Sequence, residues 1–281
     1  MTIEEAIKEA ASKLRGAGVA NERREASSLV ALAISREASF LIAHPEYILS
    51  SGEKQEFLGL LTRRCHRVPF QHLTGLEEFY GLEFRVSPYV LIPRPETEIL
   101  VEKAIDLLRG KENSVFLELG VGSGCISIAI LSNVTTSKAV GVDLSPQALA
   151  VTAANADNHA VLDRMKLLES DLFEKITGQV DLIVSNPPYI PNGDIDSLQP
   201  EVRDFEPHLA LAGGSDGLDI IRRIIDEGMA HLRPGGNLLV EIGYGQSSAV
   251  GELLGRAGWI DISFINDLQG IPRIAFAAKG S

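Results

Sequence analysis

Four consecutive residues, Asn186-Pro187-Pro188-Tyr189, have the types needed to hold a planar –NH2 group. Asn186 offers a side-chain carbonyl acceptor, and Pro187 offers a main-chain carbonyl without an N–H of its own. Two adjacent acceptors suit an amino group, and the flat ring of Tyr189 can lie against an amide or a base. The alternative is an ordinary Pro-Pro turn with an Asn cap, because Asn and Pro are common in turns.

This corner follows a short apolar run at residues 182–184, which has the length and β-branched content of a buried strand. Prolines cannot donate a ladder hydrogen bond, so the strand ends there in a stiff turn. In an open α/β sheet, ligands bind at the carboxyl ends of the strands. The pattern therefore predicts a binding corner rather than a simple connection.

A glycine-rich turn is the second feature. The sequence Glu118-Leu-Gly-Val-Gly-Ser-Gly-Cys125 joins a predicted strand to an apolar helix, and its glycines permit close approach of the backbone to a ligand. It is not a dinucleotide fingerprint, because Cys125 and Ser127 occupy the positions that would have to be glycine. Tight packing alone can also require such a turn.

Two aspartates follow the next predicted strands. Asp143 ends the run at 139–143, where a carboxylate can accept hydrogen bonds from ribose hydroxyls. The alternative role of helix cap is already filled by Ser145-Pro146. Asp171 follows the third strand and is placed to meet an adenine amino group, although capping or turning the loop is an equal alternative.

Strands and helices alternate from residue 114 onward, which predicts a doubly wound, mostly parallel α/β sheet. Its seven strands are expected at residues 115–119, 139–142, 166–168, 182–184, 237–242, 260–265 and 273–278. The last two are joined without room for a crossover helix, so they should form an antiparallel edge hairpin. The long irregular segment 190–216 is of the length that usually carries function.

The N-terminal part has a different pattern. Apolar residues recur at helical spacing over residues 2–66, whereas residues 78–86 resemble two short strands around Gly81. We expect a helical domain at 1–75, a structured linker with a β-hairpin at 76–95, and an α/β domain at 96–281. Pro95 is expected at the first position of a helix.

Composition narrows the classes of function. The net charge is −12, and since residues 1–75 carry +1, residues 76–281 hold −13, a poor match for nucleic acid. Two cysteines without CxxC spacing and six histidines without HExxH spacing favour reduced thiols and no metal site. No apolar run reaches 18 residues and the first residues are acidic, so we expect a soluble, cytoplasmic protein.

These features together resemble class I S-adenosylmethionine-dependent methyltransferases. The corner at 186–189 is similar to that of the subset that methylates planar nitrogens. Residues 91–98 (Leu-Ile-Pro-Arg-Pro-Glu-Thr-Glu), 186–190 and 202–207 (Val-Arg-Asp-Phe-Glu-Pro), with the helical module, resemble the release factor glutamine methyltransferase family over nearly the whole chain. Glu118 departs from the family, which usually has Asp there.

The resemblance implies methyl transfer from S-adenosylmethionine to the glutamine amide of the Gly-Gly-Gln motif in peptide chain release factors. The implied catalytic residues are Asn186, Pro187 and Tyr189, with Pro188 also binding substrate. The implied cofactor-binding residues are Gly120, Val121, Gly122, Ser123, Gly124, Asp143, Asp171, Leu172 and Asn186. The resemblance also implies that the helical domain at 1–75 binds the substrate and that residues 96–281 form the S-adenosylmethionine-dependent methyltransferase domain. The expected partner is the release factor; we expect a monomer, no nucleic acid and no membrane.

Two other functions share parts of this pattern. A DNA adenine-N6 methyltransferase would present the same –NH2 geometry to the corner, but the acidic catalytic part and the lack of a basic target-reading domain disfavour it. A non-catalytic S-adenosylmethionine-binding regulator would be expected to have a disrupted corner or glycine turn, and both are intact. The roles of Arg94 and Arg203, around the site or in surface ion pairs, stay open.

Overall fold

The computed structural model describes residues 1–280, which form two compact units. One unit contains residues 1–75 and the short segment 199–205, and the other contains residues 76–198 and 206–280. Within residues 1–280, no helix is long and apolar enough to cross a membrane.

The first unit is helical, as its periodicity predicts. Its helices are α1 (Ile3–Gly16), α2 (Glu22–Ala33), α3 (Ala38–Ala43), α4 (Ser51–Cys65) and α5 (Phe70–Thr74), together with α9 (Pro200–Phe205) from later in the chain. Capping boxes fix the starts of two of them: Thr2 exchanges hydrogen bonds with Glu5, and Ser50 with Glu53. The apolar faces of α1, α2 and α4 enclose a separate hydrophobic core.

Helix α9 is held in this unit by a buried cluster of charges. The Arg64 side chain is only 6% exposed, and it donates to Glu25 at 2.9 Å and to Glu201 at 3.0 Å. Arg67 also donates to Glu201, through Nε at 2.7 Å. A buried arginine needs such partners, because an unpaired charge in the interior is costly.

The second unit is an α/β layer structure. A small hairpin, β1 (Leu76–Phe79) and β2 (Leu82–Arg85), precedes a seven-stranded sheet. The sheet strands are β3 (Val115–Leu119), β4 (Lys138–Asp143), β5 (Met165–Glu169), β6 (Val180–Ser185), β7 (Leu232–Glu241), β8 (Ile260–Asn266) and β9 (Pro272–Ala278). The helices are α6 (Glu98–Leu108), α7 (Cys125–Asn133), α8 (Pro146–Asn158), α10 (Asp219–Gly228) and α11 (Ser247–Arg256).

The strand order is β5-β4-β3-β6-β7-β9-β8, with β9 antiparallel to both of its neighbours and the other pairs parallel. The predicted mostly parallel sheet with an antiparallel edge hairpin is confirmed. Apolar residues cover both faces: Leu182 and Val184 join one hydrophobic cluster, and Ile183 between them joins the other. Two-sided burial is what a continuous apolar strand indicates.

The order in which strands are added to the sheet reverses between β3 and β6, and this switch point positions the site. The chain runs outward from β3 to β4 and β5, then returns to pair β6 with β3. Leu119 pairs with Ser185, so the glycine turn and the Asn186 corner leave the sheet side by side. A crevice at such a switch point is the usual ligand site of an open α/β sheet.

Candidate active site

A cavity of about 410 Å³ opens at the carboxyl ends of these strands. Its size is within the range of small-molecule sites. It is lined by nearly all the residues that the sequence singled out, namely Gly120, Val121, Gly122, Ser123, Asp143, Asp171, Leu172, Asn186, Pro187 and Pro188. Gly124 and Tyr189 are not among its lining residues.

The glycine turn is shaped by backbone conformation and by close packing. Gly120, Gly122 and Gly124 all have positive φ angles, of 72°, 54° and 82°. A Cβ atom on Gly124 would lie 2.7 Å from Thr152 Cγ2, so this glycine serves helix packing rather than contact with a ligand. The Thr152 hydroxyl donates to the Gly122 carbonyl at 2.8 Å and ties α8 to the turn.

The side-chain amide of Asn155 fixes the same turn by hydrogen bonds. Its Nδ2 group donates to the Ser123 carbonyl at 2.8 Å and to the Arg85 carbonyl at 3.0 Å, while its Oδ1 accepts the Arg85 N–H at 2.8 Å. Asn155 is fully buried, and these bonds satisfy both ends of its side chain. The turn is therefore joined to the end of β2 as well as to α8.

Asp143 lines the cavity and has two backbone partners. Its Oδ2 accepts the Gly122 N–H at 2.9 Å, and its Oδ1 accepts the Ser145 N–H at 2.9 Å. Ser145 caps α8 by accepting the Ala148 N–H, as predicted. Each carboxylate oxygen has further acceptor capacity toward the cavity.

Asp171 lines the far end of the cavity and forms an ion pair with Arg223 at 3.0 Å. Both side chains are about one-third exposed, at 33% and 39%. Leu172 beside it also lines the cavity and adopts a positive φ of 45°, which is uncommon for a non-glycine residue.

The corner at residues 186–189 presents the two predicted acceptors. Asn186 and Pro187 both line the cavity. The Asn186 Nδ2 group donates to Thr97 Oγ1 at 3.1 Å, which leaves Oδ1 as the free acceptor. Within residues 1–280 the Pro187 carbonyl accepts no hydrogen bond.

Tyr189 lies behind the corner instead of in the cavity. Its ring packs against the hydrophobic cluster of β6 and β7, its hydroxyl is 3.4 Å from Glu241 Oε1, and its carbonyl accepts from Gln246 at 3.0 Å. Desolvation, with the nearby Glu241 charge, raises the pKa of the Tyr189 hydroxyl, so it stays protonated. Stacking on a substrate amide stays a prediction.

Two known protein families match the two parts of the chain in sequence. Residues 5–75 match the PrmC N-terminal domain, and residues 96–199 match the methyltransferase small domain. The release factor glutamine methyltransferase of Geobacter sulfurreducens is 43% identical over 92% of this chain and 89% of its own. That of Koribacter versatilis is 38% identical over 99% of both chains.

The chain belongs to the release factor glutamine methyltransferase family. Solved methyltransferase structures share the fold. A methyltransferase from Pyrococcus furiosus superposes with a TM-score of 0.56 at 17% identity, covering 78% of this chain and 99% of its own. The hMettl16 catalytic domain gives 0.59 at 16% identity, covering 72% of this chain and 76% of its own.

S-adenosylmethionine is the methyl donor of this methyltransferase family, and the cavity fits it. The Ser123 hydroxyl lines the cavity, is buried and has no hydrogen-bond partner within residues 1–280. A buried polar group without a partner calls for a ligand or water to satisfy it. The Asp143 carboxylate and the backbone of the glycine turn supply further polar surface.

Glu118, the residue that departs from the family pattern, also lines the cavity. It is 1% exposed, and its Oε2 accepts the Ser127 N–H at 2.9 Å and the Ser127 hydroxyl. Burial raises the pKa of Glu118 to about 8 in spite of these donors. A glutamate side chain is longer than the aspartate usual in the family, and here it reaches the first turn of α7 and caps it.

Sequence reasoning missed two buried carboxylates near the site of this methyltransferase. Glu241, which is 2% exposed, accepts the Thr97 hydroxyl at 2.6 Å. Glu206, which is 6% exposed, accepts Arg94 at 2.6 Å and the Ile92 N–H at 3.2 Å. A glutamate inside the apolar run 237–242 was the available signal, since charged residues are rarely buried without partners.

The two arginines left open by the sequence differ in setting. Arg94 lines the cavity and pairs with the buried Glu206, which fixes the segment before α6. Arg203 pairs with its neighbour Asp204 at 2.7 Å, with both side chains more than one-third exposed. Within residues 1–280, no cluster of His, Cys, Asp and Glu has the arrangement of a metal site.

Proposed function

We propose that this chain transfers the methyl group of S-adenosylmethionine to the side-chain amide nitrogen of the glutamine in the Gly-Gly-Gln motif of peptide chain release factors. The observation that carries the proposal is the position of Asn186 and Pro187. Both line the cavity that the glycine turn also lines, at the reversal point between β3 and β6. The names of the relatives state the same class of substrate.

An amide nitrogen is a weak nucleophile, because its lone pair is delocalised into its carbonyl, and the corner would compensate for this. Asn186 Oδ1 and the Pro187 carbonyl would accept the two N–H groups and so fix the direction of the nitrogen. Both are preorganised dipoles, and they stabilise the positive charge that develops on the nitrogen. When bound, S-adenosylmethionine supplies an electrophilic methyl group.

The cofactor-holding residues follow from the lining of the cavity. Asp143 would accept from ribose hydroxyls with the acceptor capacity that Gly122 and Ser145 leave free. Asp171 and Leu172 would contact the adenine. Residues 120–124 would provide the turn over which the methionine part lies, and Ser123 would gain the partner that its buried hydroxyl lacks.

Tyr189 and Pro188 would act on the substrate mainly by holding the corner in place. The Tyr189 ring packs on the core, and its carbonyl is tied to Gln246. Pro188 closes the cavity wall beside Pro187. The ring of Tyr189, two residues after Pro187, would also contact the bound substrate amide.

The helical unit is proposed to bind the protein substrate. The match of residues 5–75 to the PrmC N-terminal domain supports this division of labour. Residues 76–95 connect it to the catalytic part at 96–281. The net charge of −13 over residues 76–281 disfavours a nucleic-acid substrate, and we expect the enzyme to act as a cytoplasmic monomer.

The test is incubation with labelled S-adenosylmethionine and, separately, three substrates: an intact release factor, the same factor with its Gly-Gly-Gln glutamine changed to alanine, and duplex DNA. We expect label on the intact factor alone. Label on DNA would establish the adenine-N6 alternative. Binding of the cofactor without transfer to any of the three would support the regulator alternative.

A further inference from the structure

A line of four polar groups runs from the cavity wall, which Asn186 and Thr97 both line, to the protein interior. Asn186 Nδ2 donates to Thr97 Oγ1 at 3.1 Å, and the Thr97 hydroxyl donates to Glu241 Oε2 at 2.6 Å. The Tyr189 hydroxyl lies 3.4 Å from the other oxygen of Glu241. Thr97 and Glu241 are each 2% exposed, so water does not compete for these bonds.

The direction of the first two bonds is dictated by the number of hydrogens available. A threonine hydroxyl has one hydrogen, and the Glu241 carboxylate can only accept. The Thr97 hydrogen is therefore committed to Glu241, and its oxygen must accept from Asn186. An Asn side chain turned by 180° would place its carbonyl against the Thr97 lone pairs.

This inference rests on the proposed function, and it gives a role to Thr97 and Glu241, which the pair of acceptors does not itself include. We propose that Thr97 and Glu241 are positioning residues that keep Asn186 Oδ1, rather than its NH2 group, directed at the substrate amide. The Asn186 acceptor is then specified by a carboxylate two hydrogen bonds away. With the amide reversed, two NH2 groups would face each other and the substrate nitrogen would lose one acceptor.

The relay depends on the charge of Glu241. A protonated Glu241 can donate to Thr97 Oγ1, which frees the Thr97 hydrogen to bond a reversed Asn186. Burial raises the pKa of Glu241 to about 7, while the Thr97 and Tyr189 hydroxyls lower it, Glu96 raises it and Arg273 lowers it. The active orientation is therefore enforced while Glu241 is ionised and is no longer enforced once Glu241 is protonated.

The first experiment compares three variants with the wild-type enzyme. Thr97→Val keeps the shape but removes the hydroxyl, so we expect kcat to fall by about 10-fold or more, with the cofactor Kd within about two-fold of wild type. Thr97→Ser restores the hydroxyl and should recover most of kcat. Ser137→Ala removes another buried hydroxyl, bonded to Ser114 outside the cavity, and should lower Tm without lowering kcat.

The second experiment follows pH. We expect the kcat of the wild type, with cofactor and substrate saturating, to rise through an inflection near pH 7, and we expect Thr97→Val to lack this inflection while Thr97→Ser retains it. Glu118, whose pKa is raised to about 8, can add a second inflection that all three proteins share, so the relay is measured as the inflection near pH 7 that is present in Thr97→Ser and missing in Thr97→Val. Identical pH profiles for Thr97→Val and Thr97→Ser would overturn the relay.

A readout without turnover comes from the Asn186 side-chain NH2 signals in the 15N–1H spectrum of the enzyme alone, assigned by their loss in Asn186→Ala. They should shift with pH near 7 in the wild type and become insensitive in Thr97→Val. Signals that ignore pH in the wild type would reject the proposal even if release factors are methylated. Failure of wild-type methylation would instead reject the proposed function.

Discussion

Asp143 Oδ2 accepts the backbone N–H of Gly122 at 2.9 Å, so the predicted ribose ligand also fixes the middle of the glycine turn. Its other oxygen accepts the Ser145 N–H at the start of α8. One carboxylate thus joins the ends of β3 and β4 before any cofactor arrives. The turn is preorganised, which reduces the entropy lost on binding.

Replacement of Asp143 should therefore affect affinity and stability together. In Asp143→Ala, the Gly122 and Ser145 N–H groups lose their acceptor and the ribose loses its own, so we expect cofactor affinity to fall by about 10-fold or more. Asp143→Asn keeps one carbonyl acceptor and should lose less. Calorimetry with S-adenosylmethionine measures the effect, and an unchanged Kd for Asp143→Ala would contradict the ribose assignment.

Replacement of Asn186 should separate catalysis from cofactor binding. Asn186→Ala removes one of two acceptors at the reacting nitrogen, so we expect kcat to fall by about 100-fold or more, with the cofactor Kd changed little. Asn192→Ala, an exposed residue on the following loop, is the matched control and should retain wild-type kcat. Single-turnover methylation of a release factor gives the rate, and near-normal turnover in Asn186→Ala would reject the clamp.

The loop after the corner should tolerate change at one glycine and not at another. A Cβ on Gly213 would lie 2.8 Å from the Pro188 carbonyl and 2.8 Å from Gly217, both backbone atoms, whereas Gly193 has open space. We expect Gly213→Ala to displace the corner and lower kcat more than cofactor affinity, while Gly193→Ala leaves both unchanged. Equal kcat values for the two variants would show that the loop does not support the corner.

The buried Glu118 should give the protein a characteristic pH dependence of stability. Its pKa is raised to about 8 from 4.5, so the stability it contributes is present below about pH 4.5 and is lost as pH rises through about 8. In Glu118→Gln that loss cannot occur. The Tm of Glu118→Gln relative to wild type should therefore increase between pH 5 and pH 9. Each kcal/mol of unfolding free energy corresponds to about 2–4 °C in Tm. A Tm difference that stays constant over this pH range would contradict the shifted pKa.

Local patterns predicted most of the sheet. The strand expected at 115–119 is β3, and five of the other six differ by no more than two residues at either end. The exception is β7, expected from residue 237 but beginning at Leu232, because Pro234 and two glycines interrupt the apolar pattern. Pairing explains it: Val180 pairs with Leu232 and Leu182 with Asn237, so the intervening residues bulge away from β6.

The start of α6 shows a similar limit. Pro95 was expected at the first helical position, and it begins a short 3-10 turn, Pro95–Thr97, before the α-helix starts at Glu98. This small difference matters, because it places Thr97 where it reaches both Asn186 and Glu241. Short-range signals predict that a helix starts here but not which side chain is turned inward.

The candidate acceptors were predictable because they are consecutive in the chain, whereas their supports were not. Thr97 and Glu241 are 144 residues apart, and Arg94 and Glu206 are 112 apart. Such pairs are decided by which loops meet at the sheet edge, and no periodicity encodes that. The cavity lining also separated Gly124 and Tyr189 from the other predicted residues, since both are engaged in packing.

The bonds of Asn155 have a practical consequence for anyone who shortens this protein. A chain that began at residue 96, where the methyltransferase small domain match starts, would lack Arg85. The buried Asn155 amide would then lose two of its three hydrogen bonds. The glycine turn, which the same Asn155 amide holds, would then be less well fixed. A chain that began at residue 76 would keep the β1–β2 hairpin, and we expect it to be more stable than the fragment that begins at residue 96.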